Sequence, residues 1–168
     1  MRQSTSISRL IIAFIAGFLS VLLFHQVMLF LLQSIGFAPA KLAPYAMNAT
    51  QPFGIPRVWS LAFWGGVWAI ALVVFVSFFG QGIGVWGAAL LFAALAPSLV
   101  NWFAIMPLKG EPVGGGWKLA GIATSLIVNG VWGLGTIVLF RLFSHRTSRN
   151  QHNLLTNMKR DESDRIHH

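Results

Sequence analysis

The sequence predicts an all-α protein, a four-helix transmembrane bundle with its N-terminus and C-terminus both cytoplasmic. Three observations lead there. Hydrophobic residues make up 55% of the chain and charged residues 10%, against about 25% charged in a soluble domain. Four apolar runs are each long enough to cross a bilayer, for which about 20 helical residues suffice. The basic residues, finally, are distributed unequally between the two sides that four crossings define. At 168 residues the chain has the length of one domain. Its 12 basic and 4 acidic side chains are too few to wet the surface of a water-soluble globule, and an ordinary cytosolic enzyme is excluded.

The first run extends from Leu10 to Ile35 and is closed by Gly36 and Pro39. At 1.5 Å per residue it is about 39 Å long, so it must tilt or protrude. Arg2 and Arg9 before it, and Ala38-Pro39-Ala40 after it, have some look of a signal peptide. The apolar core of such a peptide is only about 7–15 residues, and the run is read as a retained span. The second span covers 58–79, after Pro56 and before Gly80, Gly82 and Gly84; the third covers 85–108, ended by Lys109-Gly110; the fourth covers 119–140, framed by Lys118 and Arg141. Residues 1–143 thus form the transmembrane domain, and 144–168 a polar, basic cytoplasmic tail expected to be disordered. Within that tail Arg146 and Arg149, with Arg141 and His145 beside them, suit anionic lipid headgroups.

The net charge of +8 would point to nucleic acid in a soluble protein. Here the basic residues stand at the ends of apolar runs, without an aromatic-interleaved stripe, and no nucleic-acid partner is expected. Arg2, Arg9, Arg141, Arg146, Arg149, Lys159, Arg160 and Arg165 fall on one side, and Lys41, Arg57, Lys109 and Lys118 on the other. The positive-inside rule places the first group, with both termini, in the cytoplasm. Trp59, Trp102 and Trp117 then lie near the outer ends of spans and Trp86 near an inner end, as an aromatic belt requires. Trp64, Trp68 and Trp132 lie deeper.

Reactive groups are scarce. With no cysteine, thiolate nucleophiles, disulfide chemistry and Cys-ligated metal are excluded, and no metal site is expected. No Asp, Glu, Lys or Arg lies inside a span, which leaves His25 as the one titratable side chain at depth. His25, Gln26, Asn101, Ser125 and Asn129 form the candidate polar intramembrane site, with Gln33 nearer the outer side. A bis-histidine haem needs two inward histidines and the chain offers one, so no cofactor is expected. Haem or quinone remains an alternative, with Trp64 and Trp68, one turn apart, as a candidate ligand wall. Gly121, Ser125, Asn129 and Gly133 recur at steps of four, a helix-packing face in which small residues admit a neighbouring backbone. Ala89, Ala93, Pro97 and Asn101 answer it on the third span. The outer loop 36–57, rich in proline and carrying Tyr45, lies along the membrane or covers the outer mouth. Glu111, between Lys109 and Lys118, is expected to form a solvated pair there.

Phe24-His25-Gln26, the run Pro52-Phe53-Gly54-Ile55-Pro56 leading to Leu61 through Trp68, and Val128 through Gly133 resemble segments of small four-span bacterial inner-membrane proteins. The resemblance covers residues 10–140 and implies the fold and the location, with no activity attached. Small multidrug exporters fit badly, because the acidic residue they carry in the first span is absent. The expected function is that of a non-enzymatic, multi-pass membrane protein. It would act as an accessory or assembly partner through helix packing, with lipid and other membrane helices, in a homo-oligomer or a larger complex, as its partners. The alternatives are a small channel or carrier for a neutral or anionic solute, and a redox or cofactor-binding membrane subunit.

Overall fold

Each apolar run folds as a helix, the third continuing through Pro97 and Pro107, and glycines with left-handed φ stand where the runs stop. The computed structural model describes residues 7–80 and 82–166, those from 146 on by their backbone alone. Its described residues are 78% helix and 3% strand. The first helix is Ile7–Ser34, the second Arg57–Phe79, the third Ile83–Leu108 and the fourth Leu119–Ile166, of which Leu119–His145 is apolar enough to lie in a membrane. All four are long and apolar enough to cross one. Gly80 and Gly82, with φ of 68° and 110°, make the tight turn between the second and third helices, a conformation closed to most L-residues. In the loop between the first and second helices, β1 (Ala49–Thr50) pairs antiparallel with β2 (Ile55–Pro56).

The helices are arranged in a ring, first to second, third to fourth and fourth to first, while the second and third approach each other far less. Close contact is made by glycine and alanine. A Cβ on Gly17 would run into Ala69 and come within 2.5 Å of the Gly65 carbonyl oxygen, and one on Gly65 would strike Val21. A Cβ on Gly133 would strike Ala93 and stand 3.1 Å from the Ala89 carbonyl oxygen. Backbones this near gain van der Waals contact along their length, the main attraction available where lipid removes the hydrophobic drive. Leu72, Val73 and Ile137 fill the remaining core.

Two expectations are corrected here. The small-residue face holds at Gly133 but fails at Gly121, where an added Cβ would meet nothing within 4 Å. Gly121 sits in the first turn of the fourth helix. It lines an open cavity of about 640 Å³ with Gln33, Gly36, Ala38, Lys118 and Ala120. The fourth helix, moreover, does not end near residue 140. Its backbone stays helical to Ile166 where disorder was expected, because no glycine or proline follows Gly135 to interrupt it.

The contrast between the two glycines is measurable. Gly133→Leu should cost about 3 kcal/mol or more through overpacking, whereas Gly121→Leu should stay within about 0.5 kcal/mol of wild type. Thermal unfolding of both variants in one detergent checks the difference.

Candidate functional site

Polar groups within the four helices fall into three clusters, each set by a local feature of a helix. In the first helix the residues Val21–His25 form a π turn, in which the Gln26 N–H donates to the Val21 carbonyl. In a regular α-helix that N–H would go to Leu22. The Leu22 carbonyl accepts instead from the Tyr45 hydroxyl, at 2.7 Å. The Tyr45 backbone N–H in turn donates to Gln26 Oε1 at 2.7 Å, and Gln26 is 1% exposed. Tyr45 holds a left-handed φ of 49°, a conformation that persists in a non-glycine residue when its surroundings fix it. His25 is half-buried, and its Nδ1 lies 3.5 Å from Gln26 Nε2, too far for more than a weak bond. Gln26 is therefore a clamp for the loop, with His25 at its edge. Gln33, the next-to-last residue of the helix, donates to the Leu42 carbonyl at 3.0 Å and holds the start of the same loop.

The second cluster joins the third and fourth helices. Asn129 Nδ2 donates to Ser98 Oγ at 2.9 Å, and Ser98 and Ser125 share a hydroxyl–hydroxyl bond of 3.0 Å. Ser98 is fully buried. The sequence reading missed it and named Asn101 instead, which is half-buried and stands outside this cluster. The row Leu90, Ala94, Ser98, at steps of four, was the available signal. Leu90 and Ala94 are the side chains that a Cβ on Gly130 would meet, and the next member of their row meets Asn129. Asn101 instead opens a second π turn, Asn101–Ile105.

The third cluster joins the first and fourth helices. The Trp132 indole N–H donates to the Gly17 carbonyl at 3.1 Å, and Ser20 Oγ donates to the Trp132 carbonyl at 2.7 Å. The absence of a side chain at Gly65 leaves the ring room to reach that carbonyl, since a Cβ there would lie 3.3 Å from the indole nitrogen. Trp64 and Trp68, read as one ligand wall, do not share a pocket. Trp64 is 57% exposed beside Phe63, while Trp68 turns toward the third helix and meets Phe92 edge-on, with ring centroids 6.2 Å apart. Residues four apart on a helix differ in direction by about 40°, and the gap between the second and third helices widens that into separate environments. Glu111 pairs neither with Lys109 nor with Lys118. Its partner is Lys41 of the other loop, at 3.9 Å.

Among the described residues no buried side-chain nitrogen or oxygen lacks a hydrogen-bond partner. The structure thus brings Ser125 and Asn129 together through Ser98, ties Gln26 to Tyr45 with His25 beside it, and leaves Asn101, Trp64 and Gly121 apart from both groups. The class is that of an all-helical bundle with four helices able to span a membrane. Comparison with protein-family models, curated proteins and solved structures finds no match.

Tyr45→Phe keeps the ring and removes the donor to Leu22, and should lower stability by about 1 kcal/mol with faster amide hydrogen exchange in Val21–Gln26. Ser98→Ala, which strips Asn129 and Ser125 of their shared partner, should cost about 1–2 kcal/mol, against less than about 0.5 kcal/mol for Asn101→Ala. Thermal unfolding in matched detergent separates that pair.

Proposed function

We propose that this is a non-enzymatic, multi-pass protein of the bacterial inner membrane, with both termini in the cytoplasm, that serves as an assembly partner through its outward helix faces. The observation that carries this reading is the full internal satisfaction of the buried polar groups. A carrier or enzyme site at depth keeps groups free to meet a solute or substrate. Here Gln26, Ser98, Ser125 and Asn129 are engaged with their own chain. What the bundle leaves available is its periphery: Ile15, Phe63, Leu91 and Val138, one on each helix, are all exposed at the surface. The unequal distribution of Lys and Arg supports the orientation, and the resemblance of residues 10–140 to small bacterial inner-membrane proteins supports the location.

The absence of native cysteine makes the test direct. Ile15→Cys, Phe63→Cys, Leu91→Cys and Val138→Cys, oxidised in native membranes, should give a disulfide-linked dimer or a defined larger adduct from one or two helix faces and not from the others. Vesicles holding the purified protein should pass glucose and chloride no faster than empty ones. Absence of any cross-link would overturn the reading, as would a saturable flux abolished by Asn129→Ala, which is the carrier's signature.

A further inference from the structure

The end of the bundle that carries the chain termini holds two guanidinium groups on aromatic rings. Arg9 of the first helix lies over the ring of Phe140, its Cζ 5.7 Å from the centroid. Arg141, the next residue of the fourth helix, lies over the ring of Trp86 in the first turn of the third, at 5.0 Å. One dipeptide, Phe140-Arg141, thereby meets both neighbouring helices, the first through Arg9 and the third through Trp86. A guanidinium that meets a ring with its face keeps in-plane N–H donors for a planar or tetrahedral oxyanion.

No carboxylate answers Arg141 here. Of the four acids in the sequence, Glu111 is held by Lys41 in the loops at the opposite end. The other three, Asp161, Glu162 and Asp164, begin twenty residues further along the same unbroken helix. At 1.5 Å per residue that is about 30 Å away, beyond several Debye lengths at physiological salt. Arg141 is solvent-exposed and Trp86 half-buried, the disposition of groups at a membrane surface. We infer that Arg141 and Trp86 form a binding site for the phosphate of an anionic phospholipid headgroup. The inference rests on the membrane reading above and concerns a site that helix association does not use.

Lipid binding to the purified protein, titrated with phosphatidylglycerol and followed by native mass spectrometry, tests it. Arg141→Gln should weaken binding about fivefold. Trp86→Leu, which leaves the charge and removes the ring beneath it, should weaken binding about threefold. Arg160→Gln, a matched loss of charge on the same helix, should leave it unchanged, and phosphatidylcholine should bind no more tightly to wild type than to Arg141→Gln. Equal effects of Arg141→Gln and Arg160→Gln, or no effect of Trp86→Leu in a variant with wild-type melting, would reduce the site to diffuse charge and overturn the proposal. Displacement of the lipid by inorganic phosphate would overturn it in favour of a free-anion site. Failure of the cysteine cross-links leaves these outcomes untouched, so the two readings fall separately.

Discussion

A backbone carbonyl released from the helical ladder must find another donor, and the π turn of the first helix releases one. When the Gln26 N–H moves back to Val21, the carbonyl left over is that of Leu22. The Tyr45 hydroxyl meets that need, at the cost of a left-handed backbone that the Gln26 side chain helps to hold. The path of the long loop over the bundle follows from that exchange. Val58 and Arg57, at the start of the second helix, donate to the Ala46 and Asn48 carbonyls, so the clamp on Tyr45 is passed on to the entry of the next span.

The same requirement explains why the close helix contacts and the polar clusters coincide. Small residues alone bring two helices near enough for a side chain on one to bond the backbone of the other. Gly65 leaves the Trp132 indole room to reach a carbonyl. Gly133 draws the fourth helix against Ala89 and Ala93, and in the same interface Asn129 meets Ser98. Packing and hydrogen bonding are in this sense one interaction: each is possible only at the separation the other stabilises. The second and third helices lack such a pair and meet instead through the bulky rings of Trp68, Phe75 and Phe92, which hold their axes apart.

The spans were legible because apolar runs and their glycine and proline borders are properties of a single stretch of chain. The partners within the membrane were less so, because they depend on which face each helix presents. Ser125, Asn129 and Gly133 share one face by their spacing, yet Gly121 has the same spacing and an added Cβ there would meet nothing within 4 Å. Ser98 faces the fourth helix because it continues the row of Leu90 and Ala94, a spacing that Asn101 does not share. Tyr45 could not be assigned from sequence at all. Its role depends on an irregular helical turn more than twenty residues upstream that no apolar pattern signals.

The two loops at the end opposite the termini differ in length, and nothing in their sequences repeats, yet each closes a π turn with an aromatic residue in left-handed conformation. Trp117, φ 54°, lays its ring against Trp102 and Phe103 of the turn Asn101–Ile105. Gly114 is required beneath it, because a Cβ there would lie 2.8 Å from the ring. Tyr45 closes its turn by a hydrogen bond and Trp117 closes its own by contact. The difference follows from setting: the Tyr45 hydroxyl reaches a carbonyl of a half-buried stretch, whereas Trp117 is itself more than half exposed and covers a buried ring. A π turn rotates the residues beyond it relative to those before it. Both loops therefore fix the angular setting of a helix end, and the Lys41–Glu111 pair links the two. The loops belong to the packing of the bundle as fully as the glycine contacts do, and a change confined to them should be felt at the helices.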